Sequence, residues 1–326
     1  MGGRDRPKVI GAGLSRRAWV EKGTLFVIII VFVIIFSIAS GGKYASPLNL
    51  MNILVAASLT GIVSIGMTFV ILGAGIDLSV SGITVLTGIS GAMMIDQGMN
   101  WLLACLFMLI LGSLIGFING FSITKLKMVP FVTTMAMMNI TRGIARTMSN
   151  GKTINLPEAV TVFGHGRLFG LIPVPIIMLA LSFLLGLVIL IKTTFGREVY
   201  ATGGNRRAAW LAGLKADRII MLTYVVSGFF ASLGAVLVIS RLQSAAPTIG
   251  AGLELDSIAA CVIGGTSLFG GEGGVGGTIL GAILIAMINN GLNITGVTPF
   301  MQEIAKGLII FVVIAIDAAK RSRKQE

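Results

Sequence analysis

Apolar runs long enough to cross a lipid bilayer recur along the whole chain. Crossing the hydrocarbon takes roughly 20 residues of helix at 1.5 Å per residue. Runs near 23–40, 50–72, 79–96, 101–123, 128–148, 171–191, 218–239, 255–270, 275–294 and 300–318 meet or approach that length. Backbone polar groups in hydrocarbon need internal partners, and a helix supplies them within one segment. The pattern therefore predicts an all-α membrane protein with about ten transmembrane helices. The eighth run is short and rich in glycine. Only 12% of the 326 residues are charged, against about 25% in a soluble domain.

Lysine and arginine set the orientation. Six precede the first run, Lys125 and Lys127 follow the fourth, six lie between Lys192 and Arg218, and four close the chain. With both termini cytoplasmic, those eighteen face inward. Lys43, Arg142, Arg146, Lys152, Arg167 and Arg241 then face outward, the bias that the positive-inside rule describes. Losing one span would put the basic 192–218 segment outside. The first run exceeds the 7–15 residues of a signal-peptide core, so it reads as an uncleaved span despite the small residues at Ile38-Ala39-Ser40. The domain division is a basic cytoplasmic segment 1–22, one transmembrane domain 23–318 carrying a cytoplasmic segment 192–217, and a basic tail 319–326.

Several chemistries lack their residues. The net charge of +12 is spread between apolar runs and not gathered on a face that could track nucleic acid. Cys105 and Cys261 fall inside apolar runs and read as buried hydrophobes. The single histidine, His165, lies in a loop, and no metal site is expected. The stretch Gly264–Thr278 lacks the Gly-Lys-Ser/Thr ending of a phosphate-binding loop. Close packing of helices around a turn is its better reading. The pair Glu254 and Asp256 shows no pocket for acid–base work, so it reads as a helix opening or an outer contact.

Four stretches together resemble the permease subunits of bacterial ABC sugar importers of the ribose type. They are Gly66–Leu72 with Gly75-Ile76-Asp77-Leu78-Ser79-Val80, then Pro130–Thr134 leading to Arg142-Gly143, then Thr194–Arg197 with Ala201–Asn205 and Ala208-Ala209, and finally the glycine stretch to Asn290–Asn293. The resemblance spans residues 49–317. It implies a type II-like architecture of ten spans and a multi-pass protein of the bacterial inner membrane. It also implies a second permease subunit, two ATP-binding cassette subunits and a periplasmic sugar-binding protein as partners. ATP would be bound by the partner, leaving this chain without a cofactor or an enzymatic activity. Its function would be to move ribose or a similar monosaccharide inward by alternating access. Two departures stand out: Gly73-Ala74-Gly75 replaces adjacent glycines, and Arg206-Arg207 replaces an acidic residue.

The resemblance makes 192–217 the segment that docks on the ATPase, with Gly204, Asn205, Arg206, Arg207, Ala208, Ala209 and Gly213 as its coupling residues. Physically, the transmitter needs a short rigid helix, and Asn205 is a good N-cap for one. The two arginines either meet the ATPase or only mark the cytoplasmic side. Candidate gate and pathway residues are Asp77, Ser79, Pro130, Phe131, Thr134, Asn290 and Asn293. Asp77 and Ser79 can also cap the third span, Pro130 can mark an ordinary turn, and the asparagines can tie helices together, as can Asn139, Asn289 and Gln302. Glu303 and Lys306 share a helix face and are expected to pair. An ion-coupled secondary transporter is the alternative. It would carry ionisable residues at the bilayer midplane, whereas charges here cluster near span ends.

Overall fold

The computed structural model describes residues 14–298 and, beyond them, 300–302, 304–305, 307–308, 311–312 and 314–315. The chain is built from helices α1 (Leu14–Ala39), α2 (Pro47–Leu72), α3 (Val80–Asp96), α4 (Trp101–Thr124), α5 (Pro130–Met148) and the single turn α6 (Val162–His165). There follow α7 (Val174–Lys192), α8 (Thr194–Gly204), α9 (Arg206–Leu211), α10 (Ala216–Leu242), α11 (Leu253–Ile263) and α12 (Val275–Ile294). The described residues within 300–315 are helical too. Among the described residues, five helices are long and apolar enough to cross a membrane: α2, α4, α7, α10 and α12.

Helices α2 and α10 form the centre. In each, 72% of the most apolar window is buried, against 28% in α4 and α7. The peripheral helices turn apolar side chains outward, among them Leu103, Ile110 and Phe117 on α4 and Leu181, Leu184 and Ile191 on α7. In lipid such faces need no cover. Association must then come from close packing rather than from the hydrophobic effect. Gly112, Gly116 and Gly120 recur every fourth residue along α4 and lie against α10. A Cβ at Gly112 or Gly120 would stand 2.6 Å from the carbonyl oxygen of Gly228 or Met221, and one at Gly116 would meet that of Tyr224. The two backbones are therefore in direct contact.

The glycine stretch does similar work between α11 and α12. Gly264 and Gly277 face each other, and Gly281 lies on Ala260. Helix α11 ends at Ile263, well short of the 255–270 run, because Gly264 and Gly265 turn the chain, Gly265 with φ 86°. Its 11 residues reach about 16 Å, half of the hydrocarbon thickness. Cys261 is fully buried in this packing, and its thiol donates to the Ser64 carbonyl at 3.4 Å.

At the opposite end from α9, short strands close the loops. Strand β1 (Ile154–Asn155) pairs antiparallel with β4 (Ser244–Ala245), and β2 (Arg167–Leu168) pairs with β3 (Ile172–Pro173). His165 hydrogen-bonds through Nε2 to the Arg241 carbonyl at 2.8 Å, which ties α6 to the last turn of α10.

Candidate coupling and gating site

The chain leaves α2 through a turn that its residues dictate. Gly73 and Gly75 donate to the carbonyls of Phe69 and Val70 at 3.1 and 2.9 Å, and Ala74 sits at φ 59°. That left-handed conformation costs a non-glycine residue roughly 1–2 kcal/mol, so the replacement of glycine at Ala74 carries a strain. A Cβ at Gly75 would stand 2.6 Å from the Tyr224 hydroxyl. Residues 76–79 then run to the start of α3.

Asp77 is fully buried there. One carboxylate oxygen accepts from the Ser79 amide at 2.9 Å and the Ser79 hydroxyl at 2.5 Å, and the other accepts from the Ser227 hydroxyl at 2.7 Å. Asn119 Nδ2 donates to Ser79 Oγ at 2.8 Å. Ser79 stands at the N-cap position but offers no side-chain cap, and Asp77 holds the amide of Ser79 itself and no amide of the first turn of α3. A buried carboxyl group needs such partners. The Asp77 carboxyl thus ties the start of α3 to α10, and the Ser79 hydroxyl ties it to α4.

Close by, Arg142 on α5 donates to Ser81 Oγ at 2.8 Å and to Glu254 at 3.3 Å, with side-chain exposures of 24% and 12% for the ion pair. Three helices, α3, α5 and α11, meet on this one guanidinium. Glu254 and Asp256 both lie in the first turn of α11, where acidic residues suit the helix dipole.

The α9 end is constructed differently. Two helices, not one, fill the segment after α7. Asn205 Oδ1 accepts from the Ala208 amide at 2.9 Å and caps α9. Gly203 and Gly204 belong to the end of α8. Arg206 and Lys127 both pair with Asp217, at 2.5 and 3.0 Å, so one of the two arginines is engaged within the chain. Arg207 and Ala208 are exposed, Ala209 is buried, and Trp210 and Leu211 are 68% and 71% exposed. Gly213, at φ 84°, turns the chain toward α10.

Behind α9 lies a clasp of backbones. The Gly271 amide donates to the Leu72 carbonyl at 3.0 Å. A Cβ at Gly203 would strike that same carbonyl, one at Gly270 would stand 2.8 Å from Ala74 Cβ, and one at Gly271 would stand 2.7 Å from Gly204 Cα. Tyr200 of α8 donates to the Gly273 carbonyl at 2.8 Å. Burial pushes its phenol up to about 12, so it remains a neutral donor. The ends of α2 and α8 and the α11–α12 loop therefore touch without intervening side chains. A cavity of 160 Å³ opens beside them, lined by Gly73–Gly75, Pro130, Thr202–Arg206 and Tyr224 among others. Thr202 Oγ1 is buried there without a partner.

The structure thus brings Gly204, Asn205, Arg206 and Pro130 to one cavity. Thr134 is buried one turn along α5, its hydroxyl donating to the Pro130 carbonyl at 3.0 Å, while Phe131 is 49% exposed. Asn290 lies elsewhere. It exchanges two hydrogen bonds with Asn49 of α2, at 2.9 and 3.0 Å. Asn293 accepts from Gln302 at 2.9 Å. Both amides tie helices together. Glu303 and Lys306 lie outside the described residues. Asn119, Ser227, Tyr200 and the Gly270-Gly271 contact escaped the motif reading. The four-residue spacing of glycines on α4 and the lone amide of Asn119 in an apolar run were the available signals.

A model of a family described as the permease component of branched-chain amino acid transport systems matches residues 49–316. The chain belongs to this permease family. Within it, the permease is 42% identical to the ribose import permease protein of Bacillus subtilis, over 90% of this chain and 92% of the relative. It is 37% identical to the ribose import permease protein of Escherichia coli K12, over 96% and 98% of the two chains. The L-arabinose transport system permease protein of Escherichia coli is 33% identical over 95% and 94%. No solved structure matches the permease. The ribose-type resemblance read from four short stretches is the one that the whole chain carries.

Proposed function

We propose that this permease carries a small aldose, ribose or a near relative, inward across the bacterial inner membrane. It would do so as one of a pair of permease subunits, with both termini cytoplasmic and about ten spans. The similarity to pentose permeases over nine-tenths or more of the chain carries this reading. The substrate would arrive from a periplasmic binding protein at the strand end. Two ATPase subunits would dock at the α9 end, so this chain needs no nucleotide site of its own.

The geometry supports a division of labour. Ala208, Trp210 and Leu211 form the exposed face of a capped helix, the shape that a groove on an ATPase would take. Movement of α9 reaches α7 and α10 through the chain, and α2 and the α11–α12 pair through the glycine clasp. The cavity beside Pro130 lies where a gate between α2, α5 and α8 would open. Helix α5 points to the second subunit: Asn139, Gly143 and Arg146 are exposed on it. A charged or amide side chain facing lipid is costly, so a partner copy and the sugar path would cover that face.

The test is reconstitution with the ATPase and the binding protein. Ala208→Arg with Trp210→Ala should abolish binding-protein-stimulated ATP hydrolysis while leaving the chain folded, since both side chains are exposed. Sugar uptake that continues without any ATPase subunit would overturn the proposal.

A further inference from the structure

The β2–β3 hairpin exposes four apolar residues, two on each side of Gly170, around a tight turn. Phe169 is 87% exposed and Leu171 74%, and Leu168 and Ile172 are each nearly half exposed. Phe169 is the most exposed large hydrophobic side chain among the described residues. Its backbone is unusual as well. The Leu171 amide closes the turn on the Leu168 carbonyl at 3.1 Å, and both central residues have positive φ, 52° at Phe169 and 72° at Gly170. Glycine, asparagine or aspartate fits such a position without strain. A phenylalanine there is held against its backbone preference, and strain of this kind accompanies function when the surroundings enforce it.

We propose that this tip is an interfacial anchor that inserts into the leaflet beside it. Strand β3 runs directly into α7, so the tip stands at the head of that span. Up to its last residue, every exposed side chain of α7 is apolar, including Leu181, Leu184, Leu185, Val188 and Ile191. The hairpin continues that lipid-facing character past the end of the helix. Its one charged residue, Arg167, is exposed and cationic, which suits phosphate headgroups. Apolar side chains flanked by a basic residue are the composition that lies at the boundary of headgroups and acyl chains. The anchor would hold the outer end of α7, and through it the 149–173 loop, at a fixed depth while the α9 end moves.

Depth measurement tests the proposal. The full chain carrying Cys105→Ala, with the fully buried Cys261 left in place, is given a single spin label at Phe169→Cys or Leu171→Cys. It is reconstituted in phosphatidylethanolamine–phosphatidylglycerol vesicles. Collision of the label with oxygen should exceed collision with a water-soluble nickel chelate several-fold, as at the lipid-facing control Leu184→Cys. Chelate-dominated collision at both positions, as at the exposed loop control Lys152→Cys, would overturn it. So would labels that become protected only when a sugar-binding protein is added, which would make the tip a protein-docking surface.

Discussion

Helices α4 and α5 follow each other in the chain and are held in opposite ways. Helix α4 lies on α10 through three glycines with no room for a single methyl group, and every exposed side chain on it is apolar. Helix α5 meets α3 and, through Arg142, α11, while Asn139, Gly143 and Arg146 look outward and nothing stands within 4 Å of a Cβ at Gly143. The first arrangement is a scaffold, since backbones in contact have one packing solution. The second is packed closely on one side only, where a Cβ at Gly82 of α3 would stand 2.8 Å from the Met138 carbonyl oxygen, and its other side carries polar groups left for water, sugar or a partner. A transporter needs both: a fixed part to move against, and a surface whose partners change.

The sharpest way to break the comparison is to add bulk. Gly116→Val should cost about 3 kcal/mol or more and leave little monodisperse protein on size exclusion. Gly143→Val should change the thermal midpoint hardly at all. Equal losses would show that α5 is as tightly packed as α4. Next in size, Asp77→Ala should destabilise by about 2–3 kcal/mol, because the hydroxyls of Ser79 and Ser227 lose their buried acceptor. Asp77→Asn should recover part of that loss, and thermal denaturation in detergent checks both.

Gly271→Ala forces a left-handed alanine into the clasp, at roughly 1–2 kcal/mol before the contact of its Cβ with the Gly204 backbone is counted. The readout that matters is coupling. Uptake per ATP hydrolysed should fall while hydrolysis continues, and an unchanged ratio would remove the clasp from the transmission path. On α5, Asn139→Leu and Arg146→Leu should stay within about 0.5 kcal/mol of the parent in stability yet reduce sugar uptake severalfold. A stability loss without a transport defect would return those residues to a packing role. Smallest of all, Lys127→Ala removes one exposed partner of Asp217 and should cost less than about 1 kcal/mol, measured by the same melting curves.

Much of the architecture could be read from local pattern. The starts of α2, α4 and α12 fall within a few residues of the apolar runs, and Asn205 was recognisable as a cap because a cap bond reaches only three residues along the chain. Helix α8 was not anticipated; it ends on Gly203 and Gly204, which are tolerated at a helix end. The eighth run was too long because it reached on to Leu268 and Phe269, while glycine, near neutral in hydropathy, does not by itself mark the turn that stops the helix at Ile263.

Local pattern and composition alone determined that this chain lives in lipid and is helical, while four short motif stretches carried the resemblance to sugar permeases. Hydropathy and charge act residue by residue, so they survive in a one-dimensional reading. Tertiary structure decided what its polar residues do. Asp77 finds Ser227 150 positions away, and Asn49 finds Asn290 at 241. In both cases the partner is supplied by a different helix, and periodicity along one helix carries no record of which neighbour will be there.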